Sequence, residues 1–317
     1  MSRSLRVPSL IVSLLLVACA RDPVPVKVAA DVGETLSRPL LREFAERDHA
    51  AIDRTRDADA EVLWAADPER VLQRAAAGEL ATVPAAALGE RRPPLVDPQH
   101  RWAATAAVGR VIVYDPSRLT DAEVPVRVRD LARPEWARHL VLADPTRGTG
   151  LWQAAALCAR LGDDAGLAFF RALRSGGARI VADEDAVVAA LRTGEHPLAL
   201  TDSTRAYAAQ SAVPRLVITI PDQGEGDSGV FVLPSVVAIT TRGAANPAAG
   251  ALAEFLLAMP QAFRIALDTN AFVVGSDGAV PPGLLSVTAL KLMPVDYAAL
   301  AARRPAVRAA LQEPAAE

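Results

Sequence analysis

Short apolar runs alternate with helix-patterned segments along almost the whole chain, and this alternation limits the fold more than any other feature. Residues 26–30 (Val-Lys-Val-Ala-Ala) read as a strand that passes through Asp31, Gly33 and Glu34 into a helix over 36–47. A second strand is expected at 61–64, followed by a helix over 68–77 that stops at Gly78. An extended run within 102–114 ends in Val111-Ile-Val-Tyr114, and buried strands are expected at 139–143, 179–181 and 198–200. Extended segments at 216–220 and 230–240 precede helices at 247–258, 260–267 and 297–311. Strands followed by helices predict an α/β fold with mostly parallel sheets flanked by helices. In such folds ligands sit where strands exit into loops. Three exits are rich in small polar residues: 31–34, 144–150 and 201–204.

The length of 317 residues allows one large domain or two of ordinary size, and a hydrophobic fraction of 51% supports a real core. A formal net charge of −3 leaves no electrostatic footprint for nucleic acid. With 4% aromatic residues, a stacking platform for sugars or bases is also disfavoured. No repeat and no low-complexity block interrupts the pattern.

The two cysteines have different contexts. Arg3 and Arg6 precede an apolar run over 7–18 that ends in Leu16-Val17-Ala18-Cys19. A basic start, a short apolar stretch and small residues before a cut site are the parts of a secretory signal, and the run is short for a permanent span. The four residues resemble a bacterial lipobox, which implies cleavage after residue 18 and lipidation of Cys19; an ordinary signal with an incidental cysteine is the alternative. Cys158 lies on an apolar helix face, where a buried structural thiol is expected.

Each polar exit carries two readings. Gly148-Thr149-Gly150 opens an apolar helix, so it can offer N–H groups and a hydroxyl to a ligand or simply cap that helix. Thr201-Asp202-Ser203-Thr204 can bind an amine or cation through Asp202 and a polar head through its hydroxyls, or cap the next helix. Asp31 and Glu34 can face a cationic group or cap a helix. Trp64 can pack on a ligand or belong to the core. Arg110 can pair with an anion or be solvated. The carboxylates of 183–185 can favour a cation or decorate a surface turn.

The order of segments resembles a bacterial ABC-transporter periplasmic solute-binding protein of the type 2 periplasmic-binding fold, in the subgroup that takes ferric iron and 2-aminoethylphosphonate-like solutes. The resemblance rests on Arg101-Trp102, Gly109-Arg110-Val-Ile-Val-Tyr114-Asp115-Pro116, Val128-Arg-Asp-Leu131-Ala-Arg-Pro134-Glu135-Trp136, Asp144-Pro-Thr-Arg-Gly148-Thr149-Gly150 and Leu198-Ala-Leu-Thr201-Asp202-Ser203. It continues in Pro221-Asp-Gln-Gly224, Val232-Leu-Pro234-Ser235, Glu254-Phe-Leu-Leu257 and Met293-Pro-Val-Asp296-Tyr297. It implies two α/β lobes joined by crossover strands, with a small polar solute clamped between them and passed to an ABC permease of the inner membrane. The expected division is a signal at 1–18, a lipidated tether at 19–25, lobe 1 from 26–107 and 229–284, lobe 2 from 108–228, and a helical segment at 285–317. The expected product is a monomer on the periplasmic side of the envelope, held to the membrane by its lipid, with no cofactor and no resident metal.

The expected solute contacts are Asp31, Trp64, Arg110, Gly148, Thr149, Thr201, Asp202 and Ser203. Two departures stand out. Ferric-binding members of the family use adjacent tyrosines, whereas the matching stretch here is Thr201-Asp-Ser-Thr-Arg-Ala-Tyr207. The interval 45–63 is short, so one βα element of lobe 1 is expected to be missing. That shortening motivates the alternative of a degenerate binding fold acting as an envelope scaffold or sensor without transport. Catalysis is not expected: there is no Gly-x-Ser-x-Gly elbow, no His-Glu-x-x-His and no clustered Cys/His set.

Overall fold

The computed structural model describes residues 25–120, 124–276, 278 and 280–313. The expected signal and the Cys19 lipidation site lie outside these described residues. In chain order the first elements are β1 (Val26–Ala30), α1 (Glu34–Arg47), β2 (Ile52–Arg54), β3 (Val62–Ala65), α2 (Glu69–Ala76), β4 (Leu80–Ala81), α3 (Ala85–Leu88) and β5 (Trp102–Tyr114). Next come α4 (Pro134–Ala137), β6 (Leu140–Ala143), α5 (Gly148–Leu161), α6 (Asp163–Ser175), β7 (Arg179–Val181), α7 (Glu184–Thr193), β8 (Leu198–Asp202), α8 (Ser203–Ala212) and β9 (Val217–Thr219). The chain ends with β10 (Val232–Thr240), α9 (Pro247–Leu257), α10 (Met259–Thr269) and α11 (Tyr297–Gln312).

The strands follow the order β2-β1-β3-β10-β5-β8-β6-β7, with β4 on β10 and β9 on β5. β5 is the axis of this arrangement. Its residues up to Gly109 pair antiparallel with β10, and from Arg110 to Tyr114 it pairs with β8 and β9 instead. Two half-sheets therefore share one strand. Each contains a parallel group, β2-β1-β3 in the first half and β8-β6-β7 in the second. Because β10 runs against β3 and β5 runs against β8, both groups aim their carboxyl ends at the seam where β5 changes partners.

Local chemistry explains the seam. At Gly109 the backbone N–H is donated to the Ser203 hydroxyl at 3.1 Å, while Arg110 N–H returns to the carbonyl of Phe231 at 2.9 Å. A side chain at position 109 would meet the Phe272 ring at 2.3 Å, so only glycine lets that buried ring close over the crossover strand. Nearly all of β5 is buried, as expected for a strand covered on both faces.

The short interval 45–63 retains both strands, contrary to the expectation of a missing βα element. β2 pairs with β1 up to Val28↔Arg54, and β3 starts on the other side of β1 at Val28↔Val62. In an ordinary βαβ unit the helix carries the chain back to the start of the next strand. Here β2 ends at the level where β3 begins, so no return is needed. A single turn of 3-10 helix at Asp57–Asp59 carries the chain across. Between β2 and β3 the described residues form no α-helix.

The segment set apart at 285–317 divides. Ser286 bridges to Val273 and Leu292 to Val230, while α11 packs on α5, α6 and α2. Cys158 is buried, and burial pushes its thiol up to about 11, as befits a structural residue.

Candidate functional site

The exits of the second half-sheet meet in one polar network. Arg110, opposite Asp202 in the ladder, extends a guanidinium that is 1% exposed. Its Nη1 donates to Glu184 Oε1 at 2.5 Å and to Asp202 Oδ1 at 2.8 Å. Its Nε donates to Gln153 Oε1 at 3.0 Å and its Nη2 to the Leu200 carbonyl at 3.3 Å. Thr149 donates to the other oxygen of Asp202 at 3.0 Å, and Thr201 to the other oxygen of Glu184 at 2.6 Å. Four elements thus converge on one cation: β5, α5, α7 and β8. Burial alone would lower the Arg110 pKa, but the Glu184 and Asp202 carboxylates outweigh it and raise it. The Asp202 carboxyl is raised by burial, and the Glu184 charge adds to that; Arg110 and the Thr149 hydrogen bond pull the other way.

α5 opens at the exposed Gly148, and its first intrahelical bond runs from Leu151 N–H to the Arg147 carbonyl. The N–H groups of residues 148–150 therefore precede the helical ladder. One turn further on, Trp152 crosses the seam. Its indole N–H donates to Asp67 Oδ2 at 3.0 Å, just beyond β3 of the first half. The Arg304 guanidinium of α11 lies 4.1 Å from the centre of the Trp152 ring and pairs with Glu69 at 2.8 Å. Thr149 and Trp152 lie three positions apart on one helix, so the same face touches the buried network and the opposite half.

From the first half, Asp31 reaches the seam from β1. Its Oδ1 accepts from Ala66 N–H at 2.6 Å, and Arg70 approaches its other oxygen at 3.4 Å. Asp31 thereby ties two strand exits together. Glu34 turns away to Arg54 at 2.7 Å.

Thr149, Thr201, Asp202 and Ser203 are thus brought together with Arg110, and Gly148 adjoins them. Trp64 is not among them. It is fully buried, and its indole N–H donates at 3.2 Å to Oγ1 of Thr105, the residue of β5 that the register skips opposite Ser235/Val236 of β10. Arg110 is neither solvated nor open to an anion, because it is 1% exposed and four of its five N–H groups donate to Gln153, Glu184, Asp202 and Leu200. The three carboxylates of 183–185 do three different jobs. Asp183 caps α7 by accepting from Ala186 N–H at 2.8 Å, Glu184 holds Arg110, and Asp185 pairs with Arg205 at 3.0 Å on the surface. Gln153, Asp67 and Trp152 carry no functional reading in the sequence, and Glu184 carries one only as a member of the 183–185 carboxylates. An arginine on a central strand needs buried acceptors, carbonyl or carboxylate, and that is the signal that links Glu184 to Arg110.

A cavity of about 740 Å³ opens elsewhere, between residues 90–95 and 274–292, and none of the strand-exit residues lines it. Among the described residues its walls hold no buried ion pair like that of Arg110 with Glu184 and Asp202, so the candidate site is placed at the strand exits.

The family model described as bacterial extracellular solute-binding protein matches residues 71–298. The chain belongs to that family. It is a family of solute-binding proteins and not of enzymes. Among curated relatives, the Fe(3+)-binding periplasmic protein of Serratia marcescens is 34% identical over 95 residues, which is 30% of this chain and 28% of that protein. The major ferric iron-binding protein of Neisseria meningitidis serogroup B is 26% identical over 184 residues, 57% of this chain and 55% of that one. The matches span at most about half the length of these relatives. Iron-bound HitA from Pseudomonas aeruginosa superposes with a TM-score of 0.77 at 18% identity, covering 92% of this chain and 100% of HitA. Apo FutA2 from Synechocystis PCC6803 gives 0.75 at 19%, covering 91% and 98%. These likenesses establish the two-lobed periplasmic-binding fold. The two half-sheets are its lobes.

Proposed function

We propose that the chain is the solute-binding component of an ABC importer, which clamps a small polar solute between its lobes and presents the closed form to an inner-membrane permease. The observation that carries this reading is the convergence of both sets of strand exits on one seam, with Thr149, Asp202 and Gly148 on one side and Asp31 and Asp67 on the other. Hinge closure around a solute is a shift between open and closed populations, and β5 and β10 are the strands that would flex. We place lobe 1 at 26–107 and 229–284 and lobe 2 at 108–228. The monomer is held on the periplasmic side of the membrane by lipid on Cys19. The curated relatives are named for ferric iron, which makes iron one solute to test.

The scaffold alternative drew its force from a missing element of lobe 1. Both strands of that element are present, so the transport reading is favoured.

The test is thermal unfolding and calorimetric titration of the purified chain with phosphonates, phosphate esters, small amines, thiamine-like solutes and ferric citrate. A true solute at a hundred times its Kd should stabilise the fold by about 2.7 kcal/mol. A folded protein that responds to nothing in the panel refutes the transport reading.

A further inference from the structure

Asp202 and Glu184 aim one oxygen each at the same point, and that point holds the Arg110 Nη1 atom, 2.8 Å and 2.5 Å away. We infer that Arg110 is a specificity-determining residue: a resident cation that fills the position between Asp202 and Glu184 and so turns the site from metal ions to organic solutes. This rests on the solute-binding reading and narrows it.

The argument is electrostatic. A small, highly charged cation is held by several anionic oxygens at short range, because its attraction to each falls with distance and is steepest where water is excluded. In the second half the two carboxylates that could supply such oxygens already flank a buried guanidinium that fills the position between them. The other oxygen of each accepts from Thr149 or Thr201. A metal entering between them would meet the Arg110 charge at contact distance, and expelling that charge would strand it without a partner.

Other hard oxygen donors are engaged elsewhere. The Tyr297 phenol is buried and donates to the Val232 carbonyl, and burial pushes its pKa up, away from phenolate. Tyr114 is buried. Tyr207 lies beside Asn270 and Phe272 rather than in the network. Among the described residues, no group of three or more His, Cys, Asp or Glu side chains forms a metal cage. An organic molecule makes no such demand, since it needs only hydrogen-bonding partners along the strand exits.

The decisive experiment titrates the full chain with ferric citrate, and separately with terbium as a hard trivalent probe. Bound metal is counted after gel filtration, and terbium emission is excited through tryptophan. The wild-type chain should retain no stoichiometric metal. Arg110→Met, with the carboxylate pair uncovered, should bind terbium roughly tenfold or more tightly than wild type, a change of about 1.4 kcal/mol. Adding Glu184→Gln and Asp202→Asn should abolish the gain. One iron per wild-type chain, lost in Asp202→Asn, would overturn the inference, as would a folded Arg110→Met that gains nothing. If Arg110→Met does not fold, the wild-type arm still decides. The organic solutes of the preceding panel are scored separately, so their failure would strike the transport reading and leave the metal arms to judge Arg110.

Discussion

Arg91 in lobe 1 and Arg110 in lobe 2 are both buried, yet they are satisfied by opposite kinds of partner. Among the described residues Arg91 donates to backbone carbonyls: Ala104 at 2.6 Å, Leu257 at 2.8 Å and Leu88 at 3.0 Å, with longer bonds to Ala87 and Val274. With carbonyl dipoles and no carboxylate beside it, burial lowers its pKa to about 10. Arg110 is held by two side-chain carboxylates, and its pKa is raised. A cation fixed to backbone locks segments that are far apart in sequence, and the carbonyls that hold it do not titrate. A cation fixed to carboxylates sits among groups that can take up protons and rearrange. The first arrangement suits a fixed scaffold, and the second suits a site.

The harshest test of this contrast is Arg91→Met. It takes the side-chain donor from the Ala104, Leu257 and Leu88 carbonyls, of which Leu88 keeps the backbone N–H of residue 91 at 3.2 Å; each carbonyl left without a donor costs about 1–3 kcal/mol. A total loss of about 4 kcal/mol or more is expected in urea unfolding, insensitive to pH between about 5 and 8. A loss below about 1 kcal/mol would mean that the carbonyls find water and that Arg91 locks nothing.

Arg110→Met should cost somewhat less, about 3 kcal/mol at neutral pH, because removing one partner strands buried charge. Asp202 can relieve part of that cost by taking a proton, which burial already favours. The penalty should therefore shrink as pH falls, since the folded variant then binds protons that the unfolded chain does not. Neutralising both acids in the same chain should recover most of the loss. A double-mutant cycle that shows simple additivity would break the network apart.

The strand exits at 144–150 and 201–204 were legible because period and turn chemistry are local, and the structure does bring Thr149 and Asp202 into contact. What the sequence hid is long-range. Arg110 and Glu184 are 74 positions apart, and Trp152 and Asp67 are 85. No local pattern carries such pairs. β2 escaped notice for another reason: Ile-Asp-Arg is too short and polar to read as a strand, and only pairing with β1 makes it one. Trp64 looked available because it ends a strand. Thr105, the residue that satisfies its indole and so allows its burial, lies 41 positions away.

Asp222 is the acidic counterpart of Arg91, a buried charge whose nearest donor is a backbone N–H, that of Val128 at 3.4 Å. Burial, aided by the Asp227 charge, pushes its carboxyl up to about 6. The folded chain then holds a proton that the unfolded chain has lost between about pH 4 and 6, so stability falls as pH rises through that window. Asp222→Asn should flatten this segment of the stability–pH curve. Asn also tolerates the left-handed backbone there, at φ 60°. An unchanged slope would show that other groups set it.

The smallest effect on stability should come from the contact that joins the two regions. Trp152→Phe removes one hydrogen bond to Asp67 and keeps a ring under Arg304, so about 1 kcal/mol is at stake. Its consequence for lobe motion is larger than its size suggests. The bond exists only while the lobes are together, so its loss acts fully on the closed state and barely on the open one. About 1.4 kcal/mol corresponds to a tenfold shift in such an equilibrium. Small-angle scattering of the solute-free chain should show a larger radius of gyration in Trp152→Phe than in wild type. Asp67→Asn should move it less, because an amide oxygen still accepts from the indole. Equal radii in all three proteins would mean that the lobes are held by the backbone of β5 and β10 and by α11 alone, and that the polar network of lobe 2 works without reference to lobe 1.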